Sequence, residues 1–433
     1  MSTFTVDAYQ NEYLPLGGSE VNAIVTVTSD GAGGDAGGGA GGGAGQPAAA
    51  EVVIVDTSGS MGAPGQKIQS AREATRVAID CIRDGVLFAV IAGTDKARVV
   101  YPLNGRLEPA SDHTRAAAEQ AVRRLETGGG TAMGSWLRLA GALFRVAPDR
   151  NCHAILLTDG QNQHESPEEL DAALTEVEGL FQCDCRGVGT DWEVSELRRI
   201  ASALLGTVDI IAQPSDMADD FRALMETSMG KSTGNVSLRV WTPQGATVAF
   251  VRQVAPTIEE LTDRRVPVNP LTGDYPTATW GAESRDYHVC ITVPPREAGD
   301  EMLAGRVSLV EGDETRGQAL VRATWTDDRQ LSTSINREVA HYTGQAELAE
   351  CIQDGLEARK QGDLGTATFK LGRAVQLAAE SGNDGTMKLL QAVVEVDDAA
   401  TGTVRLRRDV AVVDEMSLDT RSTTTVRVGA GAP

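Results

Sequence analysis

The sequence predicts a multidomain α/β protein: a doubly wound α/β domain inserted into an antiparallel β-sandwich and followed by a small α-helical domain. Three observations predict it. From Glu51, buried strand runs alternate with amphipathic helical stretches. Between about Lys231 and Ala340, short alternating strands separated by turn residues take over. From about Gly344, apolar residues return at helical spacing. A chain of 433 residues is too long for one ordinary core, and at roughly 100 to 200 residues per domain it divides into two to four units.

Residues 1–30 carry Val21, Ala23, Val25 and Val27 in alternation with polar residues, which reads as a strand with one buried face. One strand cannot fold alone, so it is assigned to the sandwich further along the chain. Residues 31–48 open with GAGGDAGGGAGGGAG (Gly31 to Gly45), a linker with nothing to bury.

Residues 49–230 form the doubly wound domain. Its elements are EVVIV, a helix near Gln66 to Asp84, LFAVIAG, ARVVYPL, a helix from about Thr114 to Glu126, a helix from Ala132 to Val146, HAILLT and CDCRGVG. Apolar strands separated by amphipathic helices make a mostly parallel sheet covered on both faces. Thr190 and Glu193 have capping-box spacing ahead of the helix VSELRRIASALL. Residues 231–342 supply SLRVWT, TVAFV, YHVCITV, RVSLV and QALVRATWT, the sandwich strands. Residues 343–400 place Leu348, Ile352 and Leu356 at i, i+4 and i+8, break at Gly362-Asp363, and resume with Ala367, Leu371 and Ala374 to Ala378. The pattern weakly resembles a tetratricopeptide-like hairpin with a third helix, read as a structural support. Residues 401–433 remain as a threonine-rich tail.

The formal charge of −22 repels phosphate backbones and anionic lipid headgroups, which argues against nucleic acid or a membrane surface as partner. It favours divalent cations and basic protein patches, or simply keeps the protein soluble. The N-terminus lacks a basic segment followed by an apolar one, and no run reaches the roughly 20 apolar residues of a spanning helix. A cytoplasmic protein with reduced thiols is expected. The six cysteines show no zinc or disulfide spacing; Cys183 and Cys185 share one face of a strand and read as buried before they read as a metal or redox pair.

The chemistry concentrates at three places. Strand EVVIV delivers Asp56-Thr57-Ser58-Gly59-Ser60 to a turn at the carboxyl end of a strand, where ligands bind in open α/β sheets. Asp-x-Ser-x-Ser also suits any strand-to-helix turn. Two more segments raise its meaning. Gly128-Gly129-Gly130-Thr131 opens a helix, and Asp159-Gly160 ends HAILLT, so Thr131 and Asp159 lie at the same edge.

DTSGS, GGGTAMGSWL and LLTDG together resemble the full signature of the von Willebrand factor A family, a Rossmann-like domain, over about 180 residues. That resemblance implies a metal-ion-dependent adhesion site with Asp56, Ser58, Ser60, Thr131 and Asp159 as ligands. All five offer oxygen, which hard Mg2+ prefers, with Mn2+ or Ca2+ as alternatives. Three neutral hydroxyls and only two carboxylates, some acting through water, leave a divalent ion incompletely neutralised and with a replaceable water, and the family usually fills that position with a partner's Asp or Glu. In the loop Gln161 to Glu165, Gln163, His164 and Glu165 are the candidate rim; His164 reads equally as a solvated loop residue.

Catalysis is not expected. Metal hydrolysis needs a base beside the bound water, and the five histidines (His113, His153, His164, His288, His341) show no H-E-x-x-H spacing. No phosphate-binding G-x-x-x-x-G-K-[ST] loop is present either. The tail LDTRSTTTVRVGAGAP places Thr423 and Thr425 among arginines, open to a Ser/Thr kinase, with Val426 and Val428 three positions on, a spacing that forkhead-associated domains read after phosphothreonine. TVRV reads equally well as a final strand. The leading expectation is therefore a noncatalytic metal-dependent adaptor, tied through its tail to Ser/Thr phosphosignalling. An accessory subunit of an AAA+ ATPase of the MoxR or chelatase kind is the second reading, and an exported adhesin or channel-regulator-like protein the third.

Overall fold

The computed structural model describes residues 2–31, 49–62, 65–147 and 150–428. The expected glycine linker, apart from Gly31, and the last five residues of the tail lie outside the described residues. The chain divides into two compact units, one within residues 33–234 and one joining residues 2–32 to residues 235–433.

The first unit is built on a seven-stranded sheet. Strands Val208–Ile211, Gln182–Val188, Asn151–Thr158, Ala49–Asp56 and Leu87–Gly93 run parallel in that spatial order. Ala97–Tyr101 closes the edge antiparallel, and Glu108–Pro109 pairs with the far end of Leu87–Gly93. The antiparallel edge follows from chain length: only residues 94–96 separate the two strands, enough for a hairpin but not for a crossover helix. The central strands are buried along nearly their whole length, as expected of a sheet covered on both faces. Helices Gln66–Cys81, Asp112–Val122 and Met217–Gly230 pack on one face through Ala74, Val122, Phe221 and Met225.

The capping box expected at Thr190 does not form. Trp192 is buried against Gly187 and its indole donates to the Gly189 carbonyl, so residues 189–192 are spent on a turn. The helix starts at Val194 with Glu193 at its cap. A capping box does open Pro167–Val177, where Ser166 and Glu169 bond reciprocally.

Two sheets dominate the second unit. One orders Phe4–Gln10, Glu20–Asp30, Ala282–Thr292, Thr247–Ala255 and Glu259–Glu260. The other orders Val266–Asn269, Thr272–Pro276, Val236–Trp241, Glu301–Glu311, Glu314–Thr326 and Tyr13–Pro15. The N-terminal segment thus contributes three strands, not one, and Glu20–Asp30 pairs along its length with Ala282–Thr292, some 260 residues on. Phe4–Gln10 alternates between partly buried and exposed positions, with only Phe4 buried.

Helix Arg337–Lys360 begins earlier than the expected boundary at 343, because Asn336 caps it through Glu338 and Val339 N–H. Leu364–Ser381 and Asp384–Val393 follow, the first capped by Asp363 after Gly362 turns the chain at φ +81°. The segment expected to be a free tail from 401 is structured. Val394–Asp398 and Thr403–Leu406 form a hairpin, and Val412–Thr420 is a helix whose Leu418 enters the core with Leu371, Val375 and Leu390. Among the described residues, no helix is long and apolar enough to cross a membrane.

Candidate metal centre

Three loops converge at the carboxyl edge of the parallel sheet and are stitched together by main-chain hydrogen bonds. Gly59 N–H donates to the Gly129 carbonyl at 3.1 Å, Gly128 N–H to Thr57 at 2.9 Å, and His164 N–H to Thr131 at 3.0 Å. Gly129 takes φ +76°, a conformation that glycine adopts without strain. These bonds fix the backbone from which the five candidate ligands project.

Asp56, at the end of its strand, is fully buried. Its Oδ1 accepts the Ser58 N–H at 2.7 Å and its Oδ2 the Thr158 hydroxyl at 2.5 Å. Ser58 Oγ and Ser60 Oγ lie 3.0 Å apart, and Ser60 donates to Asp159 Oδ1 at 2.6 Å. Asp159 is also fully buried, and Lys67 Nζ sits 2.7 Å from its Oδ2. Thr131 joins the set across Gly160: a methyl there would stand 3.3 Å from Ser60 Oγ and 3.5 Å from Thr131 Oγ1, so both hydroxyls face one small space. All five residues expected to act together are therefore brought together.

The electrostatics suit a cation. Burial pushes the Asp56 carboxyl up from 3.8 to about 6, with hydrogen bonds from Ser58 and Thr158 opposing the shift and the Asp159 charge adding to it. Two buried acidic groups sharing a site are costly unless a positive charge meets them. Among the described residues, no three His, Cys, Asp or Glu side chains gather as a metal cluster. The donor set here is instead two carboxylates and three hydroxyls, a hard-oxygen set that fits Mg2+ better than a soft or imidazole-preferring metal.

A solved structure described as von Willebrand factor type A from Catenulispora acidiphila is 51% identical, with 99% of this chain and 98% of that chain covered and a TM-score of 0.92. The chain belongs to the von Willebrand factor type A family. Residues 52–161 match the von Willebrand factor type A domain and residues 376–422 the von Willebrand factor type A C-terminal domain. An uncharacterized protein of Synechocystis is 28% identical over 216 residues, 49% of this chain, and the chain spans about half the length of that curated relative. The ArnB paralog VWA2 from Sulfolobus acidocaldarius shares the fold, at 14% identity and a TM-score of 0.58, over 99% of this chain and all of the other.

Of the three rim candidates in the von Willebrand A domain, the structure places two outward. Gln163 is exposed. His164 is exposed at its edge, yet its Nδ1 accepts the Thr131 N–H at 3.3 Å, so it holds a candidate ligand's backbone. Glu165 turns inward, accepting from Gly134 N–H at 2.7 Å and from Asn162 at 3.0 Å at the start of helix Met133–Phe144. A carboxylate at a helix N-terminus satisfies an otherwise orphaned donor, which explains its orientation.

Sequence reasoning missed Thr158 and Lys67. Thr158 precedes Asp159 in LLTDG, and its buried face was the available signal. Lys67 had none, since nothing in its spacing points at Asp159. Cys183 and Cys185 are both buried, and all six cysteines are free thiols.

Thr423 and Thr425 are not on a loose tail. Thr425 donates its hydroxyl to the Val254 carbonyl at 2.7 Å and its N–H to Pro256 at 2.9 Å, and the Thr423 carbonyl accepts from Ile258 N–H at 2.8 Å. The alternative of a final strand is met only by a single bridge between Thr257 and Thr424.

Proposed function

We propose that this protein is a noncatalytic, metal-dependent adaptor that captures an Asp or Glu side chain of a partner protein through a divalent cation. The observation that carries the proposal is the convergence of Asp56, Ser58, Ser60, Thr131 and Asp159 on one space at the carboxyl edge of the sheet. Mg2+ suits this set, with Mn2+ and Ca2+ as alternatives. The ion supplies a Lewis-acidic position for an anionic oxygen. The protein's residues supply the rest: Asp56 and Asp159 give charge, Thr158 orients Asp56, and His164 fixes the loop of Thr131. Among the described residues, neither His164 nor His153 is placed as a base beside the site, in keeping with the noncatalytic reading. His164 is committed to Thr131, and His153 lies at the opposite end of its strand from Asp159.

The two sheets of the second unit read as a β-sandwich whose sequence is interrupted by the von Willebrand A unit. Six free thiols support a reducing, cytoplasmic setting. A role in Ser/Thr phosphosignalling through a kinase and a forkhead-associated partner takes a restricted form: the Thr425 hydroxyl is engaged with carbonyls, so a kinase acts on the segment once it is released.

The test is a pull-down with wild type and Asp56→Ala, each with and without EDTA. Partners retained only by wild type with metal are expected. Identical partner sets in all four conditions would sink the reading.

A further inference from the structure

Lys67 is the second residue of helix Gln66–Cys81. A cation in the first turn of a helix faces the positive end of the helix dipole, an unfavourable place for it. Its side chain is nonetheless only 11% exposed, and lysine is rarely buried without a partner. The partner is Asp159. Nζ lies 2.7 Å from Oδ2, while Oδ1 of the same carboxylate is taken by Ser60, so both Asp159 oxygens are committed within the protein. On its outer side the same ammonium lies 3.3 Å from Asp191, whose side chain is 71% exposed. Lys67 therefore stands between an inner, buried carboxylate and an outer, solvated one.

We infer that Lys67 is an internal rival of the metal: its ammonium neutralises Asp159 while no divalent ion is bound and exchanges Asp159 for Asp191 when one binds. The inference rests on the metal-binding reading above and deepens it. Without Lys67, Asp56 and Asp159 would present two negative charges to a cation. With it they present a net single one, and like charges repel strongly at this range in a partly dry site. Two consequences follow. Lys67 weakens the metal, and after the exchange its ammonium stands beside the exposed Asp191, on the outer side from which a partner carboxylate arrives.

The test is titration of the full chain with Mn2+ by calorimetry, comparing wild type, Lys67→Met and Lys67→Arg. Lys67→Met is expected to bind Mn2+ at least about tenfold more tightly, and Lys67→Arg, which keeps the charge, to stay near wild type. Equal or weaker binding by Lys67→Met overturns the inference. A lysine that merely braced the helix would not raise affinity on removal.

A second measurement needs no variant: acylation of the Lys67 amine of wild type by acetic anhydride, read by peptide mass spectrometry with saturating Mn2+ and with EDTA. Modification is expected to be severalfold faster with Mn2+, and unchanged or slower modification overturns the exchange. If neither wild type nor Lys67→Met binds Mn2+, the metal-binding reading itself fails. If both bind it equally, only the role of Lys67 falls.

Discussion

The imidazole of His164 occupies the place that a side chain on Gly130 would need: a methyl on Gly130 would stand 2.0 Å from Nδ1 of that ring. The same nitrogen accepts the N–H of Thr131. The bare glycine and the ring are thus two halves of one device that sets the Thr131 hydroxyl. Gly130→Ala must push the ring away and break its bond to Thr131. We expect a stability loss of about 1–3 kcal/mol, the usual cost of overpacking, together with weaker divalent-ion binding. Denaturant unfolding and metal titration check the two effects, and an unchanged metal affinity would show that His164 does not set Thr131.

At the other end of the sheet, His153 is clamped between two carboxylates, with Nδ1 2.7 Å from Glu51 and Nε2 2.9 Å from Asp184. Burial alone would lower its pKa, but Glu51 and Asp184 overcome that and raise it from 6.5 to about 9. Ser228 of helix Met217–Gly230 donates to Glu51 at 2.6 Å, so the cluster also ties that helix down. A raised folded-state pKa contributes stability that is complete below about 6.5 and is lost as pH rises through about 9. Hydrogen exchange in strands Ala49–Asp56 and Asn151–Thr158 should therefore accelerate between those values beyond the intrinsic chemical rate. His153→Ala should expose the same strands at neutral pH, since it removes the cation shared by two buried carboxylates.

Asp56 gives the opposite kind of pH dependence to metal binding. Its folded-state pKa is raised from 3.8 to about 6 by burial. In the metal-free protein its contribution is therefore complete below about 3.8 and is lost as pH rises through about 6, where ionising it costs stability. A divalent ion needs the ionised form and relieves that cost. Mg2+ should accordingly raise Tm more at a pH of about 8 than at about 5. Asp56→Asn should be more stable than wild type in EDTA at the higher pH and indifferent to Mg2+. Calorimetric scans settle both, and an equal Mg2+ effect at the two pH values would contradict the account.

Much of this arrangement is legible in the sequence because the parallel sheet writes itself in continuous apolar runs. LFAVIAG is a strand from Leu87 to Gly93 as read, Asp56 ends a strand as read, and Asp159 follows directly on Asn151–Thr158. The three-segment signature gathers the site because each segment sits at a strand end or a helix start. The elements missed lack such a signal. Val208–Ile211 is only four residues long, with Ile210 and Ile211 buried, and Val266–Asn269 is exposed at every position. Glu165 and Lys67 belong to a different class. Their roles depend on contacts 31 and 92 residues away, which spacing along the chain does not encode. Polar composition also misled at the C-terminus, where the segment past 401 is ordered by the scattered apolar residues Val404, Leu406, Val410 and Leu418 and by hydrogen bonds.

Those hydrogen bonds make the last prediction. Val426 is gripped through its backbone: its N–H donates to Gln345 Oε1 at 3.0 Å, and its carbonyl accepts from Gln345 Nε2 and from His341 Nε2. Val428 packs against the cluster of Ile24, Val254, Val339 and Tyr342, and Arg427 reaches Asp286 at 2.9 Å. Gln345 is buried, so Gln345→Ala leaves both backbone groups of Val426 without it, at a cost of about 1–3 kcal/mol. Arg427 is 42% exposed, and Arg427→Ala should cost no more than about 1 kcal/mol. Thr425→Val removes one hydrogen bond and falls between them. Hydrogen exchange over residues 423–428 should follow that order. Because the Thr425 hydroxyl is engaged while the segment is docked, a Ser/Thr kinase that labels this segment should label Gln345→Ala faster than wild type. Equal labelling rates would mean that docking does not guard Thr425, and that the hydrogen bonds to Val254 and Pro256 open faster than the kinase acts.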